Sequence, residues 1–267
     1  PVTIDTVAPS AIATAPDLNA ASDTGASQTD KITRATMPTF YGNGALAGAS
    51  IRLYASGLLV ATATADGAGA YAVTSSTLTA GAKTITVRQL DVAGNESDDS
   101  PSLAITIDTT SPATPGAPDL DPASDTGASN SDNITGDTTP TLTGATEPYA
   151  AVKLYVAGTT LVGTATANES GAYSVTSSSP LAGGSYTFSV TATDLAGNAS
   201  IASPGLPVSI VTTGPASLGA PDLQAASDTG DSATDNITSA TTPTFTGSLA
   251  AANSTVRLYA NGALVGS

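Results

Sequence analysis

The chain has 267 residues, with 22 Asp and Glu against 7 Lys and Arg, a formal charge of −15, and neither histidine nor cysteine. A surface this acidic disfavours nucleic acid and anionic membranes as partners, because both are bound through clustered Lys and Arg. Disulfides, thiolate zinc sites and thiol nucleophiles are excluded, and so are the imidazole base and imidazole metal ligand. With 40% hydrophobic residues the chain can still build cores, and no apolar run reaches membrane-spanning length, so no direct membrane insertion is expected in this segment.

In chain order, the first strand-like segment is VTID (2–5), which returns as ITID (105–108) and SIVT (209–212). An acidic block follows, APDLNAASDTGASQTDKIT at 15–33. It recurs as APDLDPASDTGASNSDNIT at 117–135 and APDLQAASDTGDSATDNIT at 220–238, spacings of 102 and 103 residues. A period that long fits one small globular domain per copy rather than a solenoid repeat. MPTF (37–40), TPTL (139–142) and TPTF (242–245) come next, then RLYA (52–55), KLYV (153–156) and RLYA (257–260). GAYAVT (69–74) matches GAYSVT (171–176), and DVAGN (91–95) matches DLAGN (194–198).

Within each copy, short segments alternate with period two, the mark of half-buried strands. Ser50–Ser56 sets Ile51, Leu53 and Ala55 on one face; Ile85 and Val87 do the same in the next long segment, as do Phe188 and Val190 in its counterpart. Leu103, Ile105 and Ile107 alternate likewise, matched by Leu206, Val208 and Ile210. Turn signals at Ser56-Gly57, Asp66-Gly67, Ala93-Gly94-Asn95, Ala157-Gly158 and Ala196-Gly197-Asn198 separate them. About seven strands per copy and no helix predict an all-β chain of tandem immunoglobulin-like β-sandwiches, arranged end to end as a rod. The expected division is 1–8 as the last strand of a preceding repeat, 9–110 and 111–213 as complete repeats, and 214–267 as the N-terminal half of a third. The pattern reads as a stretch of a longer array.

Each copy places carboxylates at the same three positions: Asp17, Asp23 and Asp30; Asp119, Asp125 and Asp132; Asp222, Asp228 and Asp235. The sandwich topology predicts that the SDTG loop and the terminal Asp of one repeat face the DxAGN loop and the loop after PTF of the next. Carboxylates gathered there would repel unless neutralised, and calcium takes six to eight oxygens from such ligands. Asp and Asn are also ordinary turn formers, so the same loop would serve as a plain Asx turn. Asp66, whose counterpart is Asn168, reads as a turn.

Taken together, SDTGxSxxDxIT, TTPTxTG, RLYxxG, GAYSVT, DxAGN and ITIDTT resemble the bacterial Ig-like repeats of giant surface adhesins, including Bap-type biofilm proteins and RTX adhesins exported by type I secretion. The resemblance spans essentially the whole chain. It implies an extracellular stalk at the bacterial cell surface with calcium at or near the domain junctions. Carried over residue by residue, it points to Asp23, Asp30, Asp125, Asp132, Asp228 and Asp235, to the linker acids Asp5 and Asp108, and to Asp91, Asn95, Asp194 and Asn198. Of the acidic position that family copies often have after PTF, only Glu147 is present here. The junction near residue 110 thus has the fullest set, Asp108, Glu147 and Asp194. The one near residue 8 keeps Asp5 and Asp91, and the one near 213 has Val211 in place of the linker acid.

Three functional readings follow. In the first, the chain is a calcium-rigidified spacer of an adhesin acting in cell adhesion and biofilm formation, whose partners are neighbouring repeats of the same chain. In the second, each sandwich is a loop-based module binding a glycan or a protein. In the third, the chain is a fibre subunit, with lateral self-association or strand donation between copies. Catalysis is not expected: aromatics make up 4% of the chain and there is no Trp to build a sugar-cleaving groove.

Overall fold

The computed structural model describes residues 2–252 and 254–267, which divide into two units, 1–210 and 211–267. The first repeat contains β1 (Asp17–Leu18), β2 (Ile32–Thr33), β3 (Thr39–Gly42), β4 (Ser50–Ala55), β5 (Leu58–Thr64), β6 (Tyr71–Thr74), β7 (Gly81–Leu90) and β8 (Leu103–Ile107). One sheet runs β1-β3-β6 and the facing one β2-β8-β7-β4-β5. The expected count of seven becomes eight because the entering strand is split: β1 pairs with β3 in the small sheet, whereas β2 pairs with β8 in the large one. Two-residue strands are too short for a period-two signal. The split has a consequence for function, because the acidic loop between β1 and β2 is the crossing from one sheet to the other.

Alternation supplies the core. Ile51 and Leu53 of β4, Ile85 and Val87 of β7, and Ile105 and Ile107 of β8 point inward, against Leu18 and Phe40 of the small sheet; each is at most 3% exposed. Ser56 and Gly57 both have positive φ, 49° and 81°, the signature of the type I′ turn whose twist matches a two-residue hairpin. Asp66 forms an Asx turn where the chain passes from β5 in the large sheet to β6 in the small one, its Oδ1 accepting from the Ala68 and Ala70 amides at 2.8 and 2.9 Å. Asn168 does the same for Ser170 and Ala172.

The second repeat copies this plan with β9 (Asp119–Leu120), β10 (Ile134–Thr135), β11 (Thr141–Ala145), β12 (Ala151–Val156), β13 (Thr160–Thr166), β14 (Ala172–Thr176), β15 (Gly184–Thr193) and β16 (Leu206–Ile210), in sheets β14-β11-β9 and β10-β16-β15-β12-β13. Its large aromatic has changed layers. Phe40 on β3 becomes Leu142 on β11, while Ile85 on β7 becomes Phe188 on β15, a swap that conserves core volume. The second unit holds β17 (Asp222–Leu223) paired with β18 (Phe245–Thr246), and β19 (Leu258–Ala260) paired with β20 (Ala263–Gly266). No helix occurs among the described residues. The expected strand at 2–5 does not form: those residues are exposed and join no sheet, whereas its counterpart β8 is stitched to both β7 and β2.

A glycine opposite a tyrosine recurs in the small sheets. Gly42 pairs with Tyr71 and Gly144 with Tyr173, and a Cβ on either glycine would fall 2.2 or 2.3 Å from the tyrosine oxygen. The ring therefore covers bare backbone, which buries the Tyr71 and Tyr173 hydroxyls without a hydrogen-bond partner. Burial pushes both up to about 12. Unfolded tyrosine ionises near pH ~10, so the stability from these rings is complete below that value and is lost as pH rises towards 12. Denaturant melts between about pH 9 and 12 should show a loss on the order of 2 kcal/mol for each ring. The Tyr71→Phe, Tyr173→Phe double variant should flatten that decline while matching or exceeding the parent at neutral pH; an unchanged decline would place its origin elsewhere.

Candidate functional site in the acidic loop and the inter-repeat junction

The loop between β1 and β2 is held from inside. The Ser22 and Asp23 amides donate to the Asn19 carbonyl at 2.7 and 3.0 Å, turning the chain inward. Thr33, fully buried, is the hub: its hydroxyl donates to the Ser22 carbonyl at 2.5 Å, accepts from the Ala35 amide at 3.0 Å and lies 3.1 Å from the Thr24 hydroxyl. The Asp23 side chain is drawn under the loop and is 1% exposed. Its Oδ2 accepts from the Lys31 amide at 3.2 Å, and its Oδ1 is buried with no partner. Burial pushes the Asp23 carboxyl up, with the Lys31 amide pulling the other way. Asp30 stays exposed, its Oδ1 capping the Ile32 amide at 3.0 Å. Lys31 has φ of 65°, a left-handed conformation that suits the Asn found there in the other copies. In this copy its ammonium pairs with Asp17 at 2.7 Å, holding the Asp17 carboxyl below its usual range.

The other two copies repeat the arrangement. Asp125 and Asp228 are 3% and 6% exposed, with Oδ2 accepting from the Asn133 amide at 3.0 Å and the Asn236 amide at 3.1 Å. Thr135 donates to the Ser124 carbonyl and Thr238 to the Ser227 carbonyl. Asp132 and Asp235 cap the Ile134 and Ile237 amides. Both buried carboxylates again leave Oδ1 unpartnered. An ionised carboxylate oxygen without a partner costs several kcal/mol when buried, unless a cation or proton neutralises it. Three copies of the same defect make it a property of the repeat.

The junction between the first and second repeats is made by peptide groups and neutral side chains. The Asp108 amide donates to the Thr33 carbonyl of the first repeat at 2.8 Å, and its carbonyl accepts from Asn198 Nδ2 of the second at 2.9 Å. The Thr24 hydroxyl donates across to the Ala196 carbonyl at 2.6 Å. Thus the SDTG loop does face the DxAGN loop of the following repeat, as the strand order predicts. Asn95 reproduces half of this contact, donating to the Asp5 carbonyl at 3.2 Å.

The carboxylates behave differently from the expectation. Asp108 turns its Oδ1 back onto the Thr110 amide at 2.9 Å, and Asp5 does the same with Val7 at 3.0 Å. Asp194 spends Oδ1 on the Asn198 amide and Oδ2 on its Nδ2. Asp91 is tied to Asn95 in the same way, and that side-chain hydrogen bond holds its carboxyl below the usual range. Glu147 is exposed. So Asp108, Glu147 and Asp194 do not converge, and among the described residues no three acidic side chains form a group able to hold a metal. Each acid is captured by the nearest amide, because a contact two to four residues away costs the least loop entropy. Sequence reasoning passed over Thr24 and Thr33, although both recur in every copy, as Thr126 and Thr135 and as Thr229 and Thr238.

The bacterial Ig-like domain model matches residues 9–109, 111–212 and 216–266. The chain belongs to that family. No curated protein matches this Ig-like chain. Among solved structures it is similar to a biofilm-associated protein BSP domain, at 18% identity over 75% of this chain and 30% of the other, TM-score 0.27. It is also similar to a Ca2+-stabilized adhesin with which an Antarctic bacterium binds ice, at 20% identity over 78% and 51%, TM-score 0.36. A third is a tetra-tandem repeat from the extending region of a large adhesion protein, at 24% identity over 69% and 47%, TM-score 0.30. This Ig-like chain therefore spans about half or less of each of those chains. Family membership rests on the sequence match across all three repeats.

Thr33→Val keeps the shape of the hub residue and removes its hydroxyl, leaving the Ser22 carbonyl and the Ala35 amide without their partner. It should destabilise the first repeat by about 1–3 kcal/mol in a urea melt. Thr84→Val, at a hydroxyl with exposed surroundings, should change stability little; equal effects would remove the hub role.

Proposed function

We propose that the chain is a structural, non-catalytic spacer segment of a large secreted bacterial adhesin, acting in cell adhesion and biofilm formation at the cell surface and stiffened by calcium. The observation that carries this reading is the buried, half-satisfied carboxylate at the same place in every repeat: Asp23, Asp125 and Asp228, each with a free Oδ1. A feature repeated in every domain serves what the domains do in common, which in a tandem array is to be stable and to hold position.

The donor set suits a hard cation, since all candidate ligands are oxygens and no imidazole or thiolate competes. Within each loop the ligands would be Asp23 with Asp30, Asp125 with Asp132, and Asp228 with Asp235. Calcium bound there would neutralise the buried charge and tie the crossing between sheets. Asp5, Asp91 and Asn95, and likewise Asp108, Glu147, Asp194 and Asn198, lie around the linkers as a second set of candidate ligands, not gathered at one point. Their carboxylates would have to leave their local amides to reach an ion, so we place them behind the loop acids.

Calcium at about 100 times its Kd would add about 2.7 kcal/mol of stability for a single site that binds only the folded form. Calorimetry with calcium and with excess chelator should therefore show a higher Tm with the ion. The triple variant Asp23→Asn, Asp125→Asn, Asp228→Asn should lose that response, and Asp108→Asn should keep most of it. No calcium response in the parent chain, or the same response in the triple variant, would overturn the reading.

A further inference from the structure

We infer that the first and second repeats are locked by an uncharged backbone latch, Gly25 against Leu195–Gly197, that holds their junction closed without any metal. The observation is steric. A Cβ at Gly25 would lie 2.0 Å from the Leu195 carbonyl oxygen, and one at Gly197 would lie 3.0 and 3.1 Å from the Gly25 nitrogen and Cα. Non-bonded heavy atoms settle at about 3.5–4.0 Å, so the two loops approach more closely than any residue with a side chain at position 25 permits. Ala196, between them, is fully buried. The Thr24 hydroxyl fixes the register through the Ala196 carbonyl at 2.6 Å.

Both halves are stiff in themselves, which makes the contact a latch rather than a brush of two loose loops. Thr24 Oγ1 also accepts from the Arg34 amide at 2.9 Å, and Thr33 holds the loop beneath it. On the other side the Gly197 amide donates to the Asp194 carbonyl at 3.2 Å, and Asp194 clasps Asn198. The backbone groups that meet carry no charge, and although the Arg34 Nε lies 3.8 Å from a Cβ built on Gly197, no carboxylate enters the contact, so chelator does not weaken it directly. This inference does not rest on calcium binding in the acidic loops.

The chain contains its own controls. Gly127 stands where Gly25 does and is equally left-handed, with φ of 124° against 107°, yet a Cβ there meets nothing nearer than 3.9 Å. Gly94 stands where Gly197 does, with φ of 88° against 92°, and a Cβ there meets nothing within 4 Å. Substituting either member of a pair imposes similar backbone strain, but only Gly25 and Gly197 lie in the latch.

Because the chain has no cysteine, Leu59→Cys and Leu161→Cys, at equivalent exposed positions of β5 and β13, would carry a single spin-label pair across the junction. Pulsed electron–electron resonance on the full chain should give a narrow inter-repeat distance distribution, with and without chelator. Gly25→Ala and Gly197→Ala should each lose it, whereas Gly127→Ala and Gly94→Ala should keep it. Two outcomes would overturn the latch: Gly25→Ala remaining as narrow as Gly127→Ala, or chelator alone broadening the parent as far as Gly25→Ala does. The calcium response of Tm is read separately, so a failed latch leaves the calcium reading standing, and the reverse also holds.

Discussion

The hydroxyl of Thr33, buried like its copy at 135 and half-buried at 238, is the interaction on which both notable features of the repeat depend. By holding the Ser22 carbonyl and the Ala35 amide together, it pins the two ends of the acidic loop where the chain crosses between sheets. A loop closed that tightly must send its side chains either under itself or outward. Asp23 goes under, into a place where one of its oxygens finds nothing; Thr24 and Gly25 go outward, where they meet the next repeat. One uncharged group thus sets the position of the most expensive charge and of the closest inter-repeat contact.

Charge and contact are divided between different parts of the same segment. The acids near the linker serve their own turns, each capping an amide a few residues on, while peptide groups and neutral side chains join one repeat to the next. Asp108 shows the division within one residue: its carboxylate looks along the chain, and its amide and carbonyl reach into two different domains. This arrangement lets the surface vary in charge from repeat to repeat without disturbing the junction.

Much of the fold was legible in the sequence because half-buried strands leave a period-two trace. Ile51, Leu53, Ile85 and Val87 were assigned inward by alternation alone, and all are fully buried. The Asp66 turn was legible because its partners lie within four residues. The split entering strand was not, since β1 and β2 are too short for any period to show. The direction of the carboxylates was also hidden. Spacing along the chain tells which acids share a pole, but not whether Asp194 faces a neighbour or its own Asn198, whose amide and Nδ2 it takes four residues away. Gly25 and Gly197 could be read as turn glycines, and their close approach emerged only when two domains were placed together.

The parallel pairing of β2 with β8, and of β10 with β16, has a mechanical meaning. In each repeat it joins a strand near the entrance to the strand at the exit. Force that draws a repeat's two ends apart drags these neighbours in opposite directions along their shared ladder, so its hydrogen bonds are loaded in shear and together. Those bonds run from the Thr106 amide to the Lys31 carbonyl and from the Asp108 amide to the Thr33 carbonyl, both at 2.8 Å. An antiparallel pair pulled from its open end would instead unzip one rung at a time. Under tension, then, the crossing that carries the acidic loop is also the clasp of each domain, and it gives way as a whole.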